Sequence, residues 1–156
     1  MGRYVIGFYG FATTTSNKTA GVVAAASARN MEVYDINMSG AGTITPADIE
    51  HVCNVGFLSA AGPGTGQAAQ TPEKLEQSQN AALSSAAVGY GSTEPTTYNT
   101  VVPPLFSFNQ RSGMRWGVPI GTGFKTDGNQ TAMKVGQRVQ SNAAGNVDGN
   151  MFFYEP

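Results

Sequence analysis

Short apolar runs separated by Gly, Asn and Asp clusters recur along almost the entire chain, and this punctuation constrains the fold more than any other feature. Runs of four to eight residues bounded by turn formers suit strands, since helices need longer uninterrupted 3.6-residue periodicity. The expected architecture is all-β, a β-sandwich or jelly-roll-like single domain over residues 1–156, with long loops. Tyr4 to Phe11 is apolar at both alternating sets of positions, as in a strand covered on both faces by its own sheet packing or by a neighbouring subunit. Met31 to Met38 sets Tyr34, Ile36 and Met38 against Val33, Asp35 and Asn37, a half-buried strand. Val52 to Leu58 groups Cys53, Val55 and Phe57, and Met114 to Ile120 groups Met114, Trp116, Val118 and Ile120, with Pro119 marking that strand's far end as an edge. Further on, Met133, Val135 and Val139 alternate with Lys134 and Arg138. Asp148-Gly149 predicts a hairpin turn before Met151 to Tyr154.

One short surface helix is expected at about 71–85, where Thr71 can cap, Pro72 suits the first turn and Glu73 favours the helix dipole. Its apolar content is thin, with Leu75, Ala82 and Leu83. Thr45-Pro46-Ala47-Asp48 repeats the start chemistry for a turn or so. Thr13 to Ala28 has no stable periodicity and reads as a loop or an extended arm, and Gly91 to Pro104 reads as a loop because Pro95 and Pro103-Pro104 interrupt both helix and central strand.

Charged residues are 12% of the chain, so the surface is mostly neutral and polar, while 40% hydrophobic content suffices for a core. Nine basic against ten acidic side chains leave no cationic footprint for nucleic acid. No stretch approaches the roughly 18 apolar residues of a membrane helix, and the Met1-Gly2-Arg3-Tyr4-Val5-Ile6 start has no leader-like apolar segment, so a soluble chain beginning at Met1 is expected. One Cys and one His exclude a disulfide framework and a multi-ligand Cys/His zinc site. Asn17, Asn37 and Asn129 match the glycosylation pattern by chance.

The strongest enzymatic constellation is Asp48, Glu50, His51 and Cys53, in which thiol and imidazole can share one strand face. The plainer account makes Asp48 a first-turn residue and Cys53 a small core hydrophobe, and no oxyanion-hole motif accompanies them. Gly62-Pro63-Gly64-Thr65-Gly66 lacks the Lys-Ser/Thr of a phosphate loop. The carboxylates are scattered, without a calcium loop or an acid/base pair. No catalytic, cofactor or metal residues are therefore assigned. Tyr90, Tyr98, Phe106, Phe108, Trp116 and Tyr154 are candidates for a sugar-stacking platform, although alternating strands need most of them inside. Arg111 and Arg115 bracket Ser112-Gly113-Met114 as a hairpin tip or as partners in inter-subunit ion pairs.

The Met1-Gly2-Arg3-Tyr4-Val5-Ile6 opening, the Arg29-Asn30-Met31-Glu32-Val33-Tyr34 strand, Val55-Gly56-Phe57-Leu58, Thr71-Pro72, Ser92-Thr93-Glu94-Pro95-Thr96 and Gly113-Met114-Arg115-Trp116 follow one another in an order similar to small virion structural proteins of tailed bacteriophages. In particular, the chain resembles capsid decoration (cement) proteins. Residues 123–150 are longer and richer in Asn and Gly than that pattern. The resemblance implies a β-rich, often trimeric protein on the outer face of the head, bracing the shell against packaged DNA, with the major capsid protein as partner and neither nucleic acid nor membrane. A tail or neck component, or a carbohydrate-binding β-sandwich module, are the alternatives. Because charges are too sparse to guard exposed edges, a homo-oligomer is expected, most simply a homotrimer. The expected interface residues are Tyr4, Ile6, Phe8, Tyr98, Pro103, Pro104, Arg111, Arg115, Phe153 and Tyr154, and the segments Thr13 to Ala28, Gly62 to Gln70 and Gly91 to Pro104 are natural arms for the shell.

Overall fold

A computed structural model describes residues 2–26, 29–42, 48–58, 68–90, 94–95, 106–127 and 134–156. Among them are twelve strands and no helix: β1 (Gly2–Thr13), β2 (Lys18–Ala24), β3 (Asn30–Gly40), β4 (Glu50–Leu58), β5 (Ala68–Gln70), β6 (Glu73–Lys74), β7 (Ser85–Val88), β8 (Phe106–Asn109), β9 (Gly113–Gly117), β10 (Phe124–Asp127), β11 (Lys134–Ser141) and β12 (Gly145–Glu155). They form two antiparallel sheets. The first runs β10-β3-β12-β1-β6, with β9 also on the β3 edge, and the second runs β5-β7-β2-β11-β4-β8. The inner faces close a β-sandwich. Tyr4, Ile6, Met31, Val33, Ile36, Met151 and Phe153 of the first sheet meet Val23, Val55 and Val135 of the second, and Phe8, Met38 and Val147 meet Ala20, Cys53, Phe108 and Val139.

Three bulges set which residues reach that core. In β1 the residues Tyr9-Gly10 stand opposite Asp148 alone, and Gly10 takes φ 63°, a left-handed conformation that glycine adopts without strain. The extra residue reverses the alternation, so Phe11 packs on the same side as Phe8, with ring centroids 6.0 Å apart. The apolar two-faced pattern of Tyr4 to Phe11 thus arises largely within one chain. In β3 the extra residue is Tyr34, so Met31 and Val33 face inward before the bulge and Ile36 and Met38 after it. This corrects the simple alternation that put Val33 on the face of Asp35. In β2 the extra residue is Ala20.

Four further expectations are corrected. The 71–85 segment is not helical: Glu73 and Lys74 pair with Val5 and Tyr4 of β1, Leu75 N–H donates to Arg3 C=O at 3.0 Å, and the rest is a turn and bends leading to β7. A helix there has no apolar stripe to offset its nucleation, whereas the extended chain gains a ladder. Asp148-Gly149 is no turn but the middle of β12. Gly149 is needed for close approach, since a Cβ there would lie 2.5 Å from the Phe8 ring and 2.8 Å from Asn37 O. Within the supposed arm at Thr13 to Ala28, Lys18–Ala24 is β2, a central strand whose small residues fit beneath larger ones; Gly21 lies under Ile6, Phe8 and Met151. Within Gly62 to Gln70, Ala68–Gln70 is β5. The Thr45-Pro46 start and nearly all of Gly91 to Pro104 lie outside the described residues.

Both lateral sides are bridged. On one, the chain passes from β5 in the second sheet to β6 in the first and back to β7; on the other, the turn Gln110–Ser112 carries β8 of the second sheet into β9 of the first. The four edges consist of strands of two to five residues, which limits the unpaired backbone they present. β9 and β10 form one interrupted edge on β3, and the intervening Val118–Gly123 excursion wraps the Glu32 carboxylate, which accepts N–H bonds from Gly121 at 2.8 Å and Gly123 at 2.6 Å. Glu155 likewise accepts from Leu83 and Ser84 at 3.2 and 2.7 Å, and Glu94 from the Thr19 N–H and hydroxyl at 2.8 and 2.6 Å. Asp148 does the same for the bulge, accepting from Gly10 N–H at 2.6 Å, so these four acidic side chains act as clamps on backbone N–H groups.

Candidate functional site

The outward face of the first sheet is built by the strands that supply the core. The alternation that turns Tyr4, Ile6, Met151 and Phe153 inward turns Arg3, Val5, Phe152 and Tyr154 outward. Register aligns Val5, Phe152, Asp35 and Gly117 in one row and Gly7, Asn150, Asn37 and Arg115 in the next. Val5, Phe152 and Tyr154 are half-buried, as is Tyr34, whose phenol is pushed up by burial, with Arg3 and Arg115 near enough to counter that rise. Asp35 is buried and holds the Arg115 guanidinium through both oxygens, while the Arg115 side chain is 72% exposed. Asn37 Oδ1 accepts from the Asn150 N–H at 3.1 Å and from Nδ2 at 3.0 Å.

At one end this face dips into a cleft of about 270 Å³ lined by Gly2, Arg3, Glu76, Gln79, Ile120 and Tyr154. Arg3 pairs with Glu76, which holds that carboxyl below its usual range, and the Arg3 N–H donates to Gln79 Oε1 at 2.8 Å. The arrangement offers aromatic surface, a guanidinium and carboxamides on a rigid sheet, a composition common at protein interfaces.

The expected interface residues separate accordingly. Tyr4, Ile6, Phe8 and Phe153 are core residues, so they are removed from the surface of the chain; the apolarity that singled them out serves the sandwich. Tyr154 and Arg115 lie on the outward face, and Arg111 is exposed at the β8–β9 turn. Tyr98, Pro103 and Pro104 lie outside the described residues. The aromatic platform is dispersed: Tyr90 packs on Val22 and Leu58 behind the second sheet, Phe108 lies against His51, and Trp116 faces inward beside Phe124. Phe106 packs against the core, leaving Tyr154 on the outward face.

Thiol and imidazole do share the inner face of β4, and both are sealed. Burial pushes the Cys53 thiol up to about 12, so it is not a nucleophile at neutral pH. His51 is bonded to Gln110, a residue that no sequence motif marked. Asp48 and Glu50 are exposed and stand apart from that inner face. No group of three His, Cys, Asp or Glu side chains suited to a metal occurs among the described residues, and Gly62 to Gly66 lie outside them. No helix of the described residues is long and apolar enough to cross a membrane. Comparison with protein-family models, with curated proteins and with solved structures finds no match for the chain.

Proposed function

We propose that the protein is a virion structural component, a decoration protein that binds the outer face of a phage head and stabilises it against packaged DNA. The observation that carries this reading is the outward face of the first sheet, where half-buried Val5, Tyr34, Phe152 and Tyr154 lie between Arg3 and Arg115 on a sandwich with short, bridged edges. Such a face suits modest contacts repeated over many copies, in which multivalency supplies the holding strength. The sealed Cys53 and the bonded His51 fit a non-catalytic role. The partners in this reading are the major capsid protein and further copies of the chain as a homotrimer, on the outer capsid surface of the virion, without cofactor, nucleic acid or membrane.

Cryo-electron microscopy of the source particle tests it. Density for this chain on the shell, with Tyr154 and Arg115 at a contact, is the expected result; density on the tail or neck alone replaces decoration with a tail role. Sedimentation is expected to give a trimer at micromolar concentration, and a stable monomer counts against self-association unless assembly needs the shell. Deleting 91–100 is expected to weaken attachment if that segment is an arm, and full occupancy with unchanged heat release of DNA removes it from the contact. The carbohydrate-module reading draws on the cleft beside Tyr154, where an aromatic ring adjoins Arg3, Glu76 and Gln79. Glycan binding abolished by Tyr154→Ala would favour it.

A further inference from the structure

The side bridged by Gln110–Ser112 is joined through one side chain. Gln110 is buried; its Nε2 donates to the carbonyls of Ala41 at 2.9 Å and Asn146 at 3.1 Å, its backbone N–H donates to Ile49 C=O at 2.8 Å, and its Oε1 meets His51 Nε2. Carbonyls only accept, so both Gln110 Nε2 hydrogens are committed and Oε1 is fixed as an acceptor. His51 must then carry its proton on Nε2. Nδ1 is left as a lone pair, buried and without a hydrogen-bond partner.

Little room surrounds the ring. Phe108 of β8 lies 5.2 Å away between centroids, Ser141 of β11 is its partner across the ladder, and a Cβ on Gly145 of β12 would come within 3.1 Å of its Cε1. Among the described residues no charged group faces it from the elements packed against it. Glu50 of β4 is on the opposite strand face, β8 carries no charge, Arg111 of the turn is exposed, and Lys134 and Arg138 of β11 alternate away from Ser141. The Ser39–Ala41 end of β3 has no charge, and Asp148 of β12 is bonded to Gly10 N–H. Burial holds His51 below its ordinary range, against the opposing effect of its Gln110 bond.

We infer that His51 and Gln110 form an acid-opened latch, in which uptake of a solvent proton at His51 Nδ1 parts the Gln110–Ser112 turn from Ala41, Asn146 and Ile49 while the rest of the sandwich stays folded. The imidazolium needs an acceptor for its new N–H, Nδ1 has no hydrogen-bond partner where it lies buried, and the β8 end with its turn is the wall of the site held by the shortest ladder. The opening is local because β8 contributes only four paired residues, Phe106 to Asn109, to the second sheet, whereas the β2–β11–β4 ladder behind it is long.

The chain has a single His, so its imidazole gives one unambiguous NMR signal. The test follows that signal in the full chain from pH 8 to 4.5 alongside native-state amide exchange. The expected result is titration below the ordinary His range, with protection of the Gln110 amide and of the Gly40 amide, which donates to Ser112 C=O at 3.1 Å, falling at least tenfold beyond the intrinsic rate change while Val22 and Val23 keep theirs. In His51→Phe, which keeps an aromatic ring beside Phe108, the acid-dependent fall is expected to vanish. Titration with unchanged protection at Gln110 and Gly40 overturns the latch, as does equal loss at Val22 and Val23; neither readout requires the variant to fold.

Discussion

The two lateral sides of the sandwich do the same job with different chemistry. On the β5–β6–β7 side the links are an exposed Arg3–Glu76 pair and the half-buried Gln70 carboxamide, which accepts from Gly7 N–H at 3.1 Å and donates to Gly7 C=O at 2.9 Å as a neighbouring strand would. Glu155 adds one buried clamp. On the turn side the link is Gln110, a neutral buried group whose bonds cannot be replaced by water without opening the joint. Gly40 shows how tight that joint is, since a Cβ there would overlap the Gln110 backbone oxygen. What differs is the alternative available to each group when its partner is lost: solvent for Arg3, and nothing for Ala41 C=O.

The sharpest way to break this comparison is Gln110→Ala. It strands the His51 N–H and the Ala41 carbonyl, while Asn146 C=O keeps the Ala41 N–H at 2.9 Å, and about 3 kcal/mol of stability is expected to go, read from urea midpoints. Glu155→Gln weakens the charge-assisted bonds to Leu83 and Ser84, and about 1–2 kcal/mol is expected to be lost by the same measurement. Cys53 pairs with Phe106 of β8 and so reports on the turn side. Thiol labelling at pH 8 should be slow in the wild type and should rise in Gln110→Ala by more than its global stability loss accounts for; in Glu155→Gln it should only track that loss. Equal behaviour of the two variants would erase the distinction between sides.

The effect of pH is next in size. His51 has its folded-state pKa below the unfolded value of about 6.5, so the unfolded chain binds the proton first. Its contribution to stability is present above that pH and declines as pH falls below about 6.5 toward the folded-state value. The pH dependence of the urea midpoint in this window is expected to flatten in His51→Phe. Smallest of all, Arg3→Ala and Glu76→Ala should leave the midpoint unchanged within error in high salt, because an ion pair whose side chains are each 49% exposed is screened and flexible.

The fold class was legible because the period-two grouping of Cys53, Val55 and Phe57, and short apolar runs such as Met151 to Tyr154, depend only on the strand pleat and strand length. The helix at 71–85 was misread because capping signals are local, whereas the competing β6–β1 pairing joins residues nearly seventy positions apart. Gln137 shows the same limit: it lies between Val135 and Val139 on the inner face, wholly buried, with Nε2 donating to Asn37 C=O at 3.2 Å across the core. Polarity alone would place it outside. Of the candidate surface, Tyr154 and Arg115 were marked in the sequence, but Val5, Tyr34 and Phe152 were not distinguishable from core residues.

The sequence by itself determined that this chain builds strands, that its lone Cys is a core residue, and that its few charges leave a largely neutral surface. These follow from side-chain chemistry and from a repeat two residues long. Tertiary structure decided parity, because a single extra residue at Tyr9-Gly10 or Tyr34 exchanges the two faces of everything beyond it. It also decided that Asp148-Gly149 lies within a strand, and that Gln110 joins two sheets through His51, Ala41 and Asn146. Those outcomes depend on which backbone atoms end up within hydrogen-bonding distance, and residues separated by 36 to 69 positions in the chain have no local signature for that.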